Sequence, residues 1–502
     1  MQEKLEKYKE YFDSTSLGRC VHCYVHALLA RRNKPGIFAF AGTIVILWQM
    51  LLPGYVLTLD MVFANNWLIQ KLLLFGIFFL LFYLPIKFFP FEIDHKFKYW
   101  AGLFYAINPF VYERFLAGHW LILLLYALLP PIIYYLIKLF QNFKKYCIYF
   151  IFWFFTAVFV FSFYFAHFTQ VLKIDNPEYW QVFKTSSFLI GGSSAKVIML
   201  YGFWGESYPW ANYFIWPTIS LILQVFVILT GLIILGIRKA WFQNKKLTIL
   251  LLIAGFFSFV FALGISEGPF KNFNLWLFEN ISFWRVFRDT TKWLAPMAYI
   301  YAVFGALGVS NLLSLFRPHL NPPLLKGRRE LIKRDEGFVL SPFIRGRLRG
   351  GRNVFVAALF LLPLIYTYPM LGGFARQIQP VWYPESWVEA NNILKQDKEC
   401  KALFLPWHLY YSLSFNNNLI TANPASRFFD CEIIFSQNIE MGEIKQTAWP
   451  NWQDPAQKIK YIIYTTDLEG ADIYDYSFLK SENLKIELST DDLVLFKVND
   501  RI

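Results

Sequence analysis

Charged side chains are scarce in this chain. Asp, Glu, Lys and Arg make up 17% of its 502 residues, against about a quarter in soluble globular proteins. So little charge excludes a soluble enzyme, and the apolar excess equally excludes a disordered tail. Cysteine is rare too, five in all, which excludes a disulfide-stapled secreted scaffold. A GxxxxGK[ST] loop, a dinucleotide GxGxxG after a strand and a zinc-binding HExxH are absent, so an ATP-driven pump and a metallopeptidase are set aside. The net charge of +13 comes without a basic domain carrying interleaved stacking aromatics, and no nucleic-acid partner is expected.

What is abundant is hydrocarbon. Apolar and aromatic residues make up 56% of the chain, with 55 Phe, 29 Tyr and 18 Trp, and the mean hydropathy is +0.37. Most of them fall in runs of about 20 residues, enough to cross about 30 Å of hydrocarbon as helix. Eight such runs stand out, at 37–56, 67–89, 119–138, 147–170, 213–237, 247–266, 293–316 and 353–372. A ninth, 99–113, is short and interrupted by Asn108-Pro109, as a broken or re-entrant segment would be. Counting it puts all the Lys/Arg-rich connections on one face: Lys87, Lys96 and Lys98; Lys138, Lys144 and Lys145; Arg238, Lys239, Lys245 and Lys246; and the strap 317–352 with ten Lys/Arg. The expected fold is therefore mainly α, a polytopic membrane protein of about nine transmembrane helices. Residues 1–36 form a cytoplasmic segment, 37–372 the transmembrane domain, and 373–502 a C-terminal domain outside the cytoplasmic membrane. The first apolar run, preceded by 36 mostly polar residues, is expected to direct insertion itself.

Residues 373–502 carry twelve Lys/Arg against eighteen Asp/Glu, a net of −6, which leaves +19 for residues 1–372. Segments 401–405, 459–465, 484–488 and 493–498 read as strands and 385–396 as an amphipathic helix. A small α/β or α+β domain follows. Cys400 and Cys431 both fall in it, where the compartment permits a disulfide that spacing alone does not establish. Cys20 and Cys23, with His22 and His26 nearby, lack a second ligand pair and read as ordinary thiols and imidazoles.

Charges at the outer ends of the spans are the candidates for chemistry. Asp60 follows the first run in PGYVLTLDMVF; Glu113, Arg114 and His119 surround the turn in NPFVYERFLAGHW; Arg285, Arg288, Asp289 and Lys292 precede the eighth run. His167, Glu206 and Glu267 approach the same side. The plain reading of each is a headgroup anchor. The sharper one is an outer-face polar site, because an ionisable group near hydrocarbon is kept only if paired or used, and arginine matches phosphate oxygens in pairs. If helical, 285–292 would pair Arg285 with Asp289 and stack Arg288 on Lys292 at i, i+4.

These same stretches, PGYVLTLDMVF, GLFYAINPFVYERFLAGHWLILLLYALLP and FWRVFRDTTKW, with YPESWVEANNILK and ITANPASRFFD in the tail, resemble a group of archaeal and bacterial polytopic proteins related to GT-C glycosyltransferases, especially the membrane half of arabinofuranosyltransferase-like proteins. The resemblance implies a GT-C-like fold that moves a sugar from a polyprenyl-phosphate donor to a glycan, lipid or protein acceptor outside the membrane. It puts the catalytic acid at Asp60 and the donor phosphate on Arg114, Arg285 and Arg288. The loop 57–67 departs from the family pattern, being too short for the usual interfacial helices. No nucleotide cofactor is implied, and carboxylate spacing leaves a divalent cation open. A transporter or flippase for a lipid-linked substrate and a silent scaffold for surface-glycan assembly are the alternatives.

Overall fold

The computed structural model describes residues 34–58, 66–166, 181, 183–188, 191–207, 218–315, 355–436, 450–467 and 476–499. Helix α1 is Lys34–Leu47 and α2 is Trp67–Lys87, which starts at the Asn66 cap, whose Oδ1 accepts from Leu68 N and Ile69 N at 3.0 and 3.1 Å. Short α3 (His95–Ala106) and α4 (Pro109–Leu116) follow, then α5 (Trp120–Gln141) and α6 (Phe143–Ala166). After the seven-residue α7 (Gly192–Ile198) come α8 (Ile219–Gln243), α9 (Lys245–Leu263), α10 (Lys271–Asn280) and α11 (Leu294–Leu315).

The expectation of about nine transmembrane helices is not met. Among the described residues six helices are long and apolar enough to cross a membrane, or seven if one bent pair is a single span. Three of the expected spans account for the difference, each for a local reason. The first ends as α1 after 14 residues, because the chain turns through Pro53 and a Gly54 at φ +117°. Segment 99–113 breaks at Asn108, whose Nδ2 donates to the Phe104 and Tyr105 carbonyls at 2.9 Å while its Oδ1 caps Val111 N at 3.1 Å. One side chain thus satisfies the end of α3 and the start of α4, with Pro109 in the first turn where its missing N–H costs nothing. The last run bends by 77° between Phe355–Tyr366 and Tyr368–Phe374, at a Pro369 that cannot donate to the turn before it.

The long helices leave apolar faces uncovered. Phe152, Phe155 and Phe159 of α6 are each more than 60% exposed, which only hydrocarbon can solvate, so this is a multi-pass membrane protein. Helices α8 and α11 cross at Gly236 and Gly308, where a Cβ on either would fall inside the other helix's backbone carbonyl. Helices α2, α5, α8 and α11 all end at the Lys-rich face, and α9 begins there.

The C-terminal part is built on α12 (Glu385–Leu394) and a five-stranded mixed sheet. Its strands are β1 (Lys401–Leu405), β4 (Glu432–Ile434), β5 (Tyr461–Thr465), β6 (Leu484–Ser489) and β7 (Leu493–Val498), while β2 (Tyr410–Ser412) and β3 (Ile420–Ala422) form a separate hairpin. The sheet order is β4-β1-β5-β7-β6; β1 runs parallel to β4 and β5, and β7 antiparallel to β5 and β6. Trp387 is fully buried between helix and sheet, stacked on Phe429. Cys400 and Cys431 form a disulfide beside the β1/β4 pairing. A two-way backbone bridge joins Tyr55 to Val381, and Thr421 Oγ1 donates to Thr58 O at 2.7 Å. These bonds fasten the tail to the stretch of chain that leaves α1.

Candidate functional site

At the helix ends away from the lysines, a buried charge cluster assembles from four separate parts of the chain. The Asn108 break turns α4 so that Arg114 points into the interior, where Asp289 accepts from it. Arg114 Nη1 lies 2.9 Å from His119 Nδ1, its Nη2 donates to Thr291 Oγ1 at 2.8 Å, and its guanidinium stacks 4.9 Å from the Phe203 ring. Thr291 Oγ1 in turn donates to Asp289 Oδ1 at 2.7 Å. The Arg114 and Asp289 side chains are 0% and 4% exposed. Burial by itself raises the Asp289 carboxyl, but Arg114, Lys292, His119 and the Thr291 hydroxyl outweigh it and hold Asp289 below the ordinary carboxylate range.

Next to this pair sits a second one. Gly202 N–H donates to Glu113 Oε1 at 3.0 Å, and Lys196 donates to Glu206 Oε2 and, at 2.9 Å, to Ser186 Oγ. Glu113 Oε2 and Glu206 Oε1 are both buried with no donor among the described residues. The two carboxyl groups lie within hydrogen-bond reach of each other, so one proton held between them satisfies both orphan oxygens. Burial raises the Glu113 carboxyl well above its ordinary range, Glu206 raises it further, and Arg114 and Lys196 offset this only in part.

The other residues singled out by sequence are distributed around the cluster or away from it. Lys292 is buried, its Nζ 5.4 Å above the Tyr164 ring. Arg288 is half-buried, stacked 4.6 Å from Phe183. Residues 282–287 and 290–293 form 3-10 turns, not one α-helix, so the i, i+4 spacing does not apply and Asp289 meets Arg114 from a distant segment. Arg285 Nε donates to the Phe278 carbonyl at 3.1 Å, closing the end of α10. Glu267 is exposed and pairs with Lys271 at 2.6 Å. Asp60 and His167 lie outside the described residues. Among the described residues no group of three or more His, Cys, Asp or Glu side chains converges as a metal site would.

Several members of the site were not singled out by sequence reasoning. Ser186 and Thr291 reach the cluster through folding, Thr291 from beside Asp289, whereas Lys196 stands with Glu206 in the charged connection 171–212. Lys71, in the first turns of α2, is a separate buried charge, 5% exposed and with no Nζ partner among the described residues; a lysine inside an apolar run was the available signal. Gly264-Ile265-Ser266-Glu267-Gly268 spells the GxSxG of a nucleophile elbow. It follows a helix, however, not a strand, and Ser266 Oγ donates to Thr185 O at 3.1 Å, so it is a turn.

No family model matches the chain, and no curated protein does. Among solved structures, the chain resembles a large membrane enzyme in fold. One similar structure is that of the arabinofuranosyltransferase AftD from mycobacteria, at a TM-score of 0.50 and 10% identity, over 94% of this chain and 40% of that one. A variant of the same enzyme aligns at a TM-score of 0.43 and 12% identity, over 87% of this chain and 35% of that one. The chain therefore spans well under half the length of the protein whose fold it shares. The likeness is one of fold, and it agrees with the resemblance to arabinofuranosyltransferase-like proteins read from the sequence motifs.

Proposed function

We propose that this protein transfers a sugar from a polyprenyl-phosphate-linked donor to a glycan, lipid or protein acceptor at the outer face of the cytoplasmic membrane, the N-terminus lying inside and residues 373–502 outside. The observation that carries the reading is the cluster of Arg114, Lys196 and Lys292, with Arg288 at its edge, at the end of the bundle away from the basic connections. A phosphate arriving from the bilayer meets there preorganised cations, of which Arg114 and Lys196 already hold Asp289 and Glu206. Asp60 removes the proton from the acceptor hydroxyl as its oxygen attacks the anomeric carbon. The bond from that carbon to the phosphate oxygen breaks, and polyprenyl phosphate leaves with the electron pair. Arg288, the most accessible of the three arginines, takes the departing charge; Arg114 and Arg285 hold the turns around it. The fold shared with AftD over nearly the whole chain supports this reading.

The test is incorporation of labelled sugar from membrane-extracted polyprenyl-phosphate donors by proteoliposomes, wild type against Asp60→Asn. Loss of a general base lowers the rate about 10²- to 10⁴-fold; equal incorporation removes Asp60 from the mechanism. A second reading, movement of a lipid-linked substrate across the bilayer, is favoured by the two broken helices, which Tyr112 Oη joins by donating to Gln377 Oε1 at 2.6 Å. Wild-type vesicles that translocate such a lipid without incorporating its sugar would select it.

A further inference from the structure

At the Lys-rich end of the bundle, opposite the charge cluster, the helix ends enclose a cavity of about 820 Å³. Three lysines line it: Lys96 from α3, Lys138 from α5 and Lys239 from α8. Lys96 is within 3.6 Å of Asp94, also in the lining, so those two charges offset each other. Glu92 remains as the other lining acid and is exposed. Lys138 meets only neutral partners among those described, Gln141 Oε1 at 3.1 Å and the Tyr134 ring at 5.7 Å. Lys239 Nζ donates to Ser310 Oγ at 2.7 Å, which holds it between α8 and α11. Two ammonium groups, from α5 and α8, thus line one space whose lining holds three lysines against two acids.

The rest of the lining limits what can enter. The volume is that of a site for an organic ligand, far more than a lone phosphate ion needs. Phe97, Leu313 and Phe360 supply an apolar wall. The occupant is therefore amphiphilic, with an anionic head and an apolar stem. Basic pockets between transmembrane helices on the cytoplasmic side suit phosphate headgroups in this way. We propose that this cavity binds the phosphate-bearing headgroup of an anionic membrane lipid, Lys138 and Lys239 on the phosphate and Phe97, Leu313 and Phe360 against the glycerol and first methylenes.

The experiment is native mass spectrometry of the purified full chain titrated with phosphatidylglycerol, with phosphatidylcholine and inorganic phosphate as separate arms. Wild type should bind phosphatidylglycerol saturably and in preference to phosphatidylcholine. Lys138→Gln with Lys239→Gln keeps a donor for Ser310 and should weaken that binding about 30-fold, roughly fivefold per lysine. The double Lys→Arg variant should keep it. Lys144→Gln with Lys145→Gln removes two exposed lysines near the same face but outside the cavity, and should bind as wild type does. Equal weakening in that control, or none in the Lys138/Lys239 variant, would overturn the site. Displacement of the lipid by equimolar inorganic phosphate would overturn the assignment to a lipid headgroup.

Discussion

Replacing Asp289 by asparagine tests whether the charge cluster is the buried unit the geometry describes. Asparagine has nearly the same volume but keeps only one of the two oxygens that accept from Arg114 and Thr291, so the change removes the charge and turns one acceptor into a donor. Arg114, wholly inaccessible, is left with an imidazole, a hydroxyl and the face of Phe203. Two unit charges 4 Å apart attract by about 4 kcal/mol at an effective dielectric of 20. Removing one partner of a buried pair costs about 3–5 kcal/mol in practice, because the other charge stays desolvated. The Asp289→Asn protein should therefore unfold at a clearly lower temperature in detergent. Combining it with Arg114→Met should recover much of the loss, since an apolar replacement of the whole pair leaves no stranded charge. An asparagine variant that melts with the wild type would mean that water reaches Arg114. A double variant less stable than either single one would mean that the pair is not a unit. Either result refutes the account of the cluster.

Two further outcomes follow from the same packing. Because burial and Glu206 raise the Glu113 carboxyl above its unfolded value, folding binds a proton there. That stability is fully present below the unfolded carboxylate pKa, about 4.3, and is lost as pH climbs toward the raised folded value, at up to about 1.4 kcal/mol per pH unit. Melting temperature measured from pH 5 upward should fall in wild type, and Glu113→Gln should flatten that slope; parallel curves would show that the carboxyl pair holds no extra proton. At the α8/α11 crossing, Gly308→Ala forces a methyl group into the Leu232 carbonyl and should cost about 1–3 kcal/mol or more, whereas Gly231→Ala, which meets nothing within 4 Å, should be neutral or slightly stabilising in the same melting assay.

Much of the membrane architecture was legible in the chain. Runs such as 67–89 and 119–138 became α2 and α5 with shifts of a few residues, because about 20 consecutive apolar residues have few alternatives to a spanning helix. Hydropathy did not distinguish a run that crosses from one that bends inside the protein. Asn108, Gly54 and the Thr367-Tyr368-Pro369 turn decide that, through local capping and turn geometry that a mean hydropathy does not register. The strands of the tail were likewise visible as apolar alternation, but their order β4-β1-β5-β7-β6 rests on pairings between segments far apart in sequence.

By itself the sequence determined that this chain needs hydrocarbon around it and which connections are basic, and it pointed to Glu113, Arg114, Glu206 and Asp289 as charges apart from them. Only the tertiary structure decided their partners. Arg114 meets Asp289 across 175 positions of chain and Glu113 accepts from Gly202 across 89, whereas the local spacing had joined Arg285 to Asp289. The reason is physical: a charge in a low-dielectric interior takes whichever counter-charge packing brings within reach, and separation along the chain does not predict that distance.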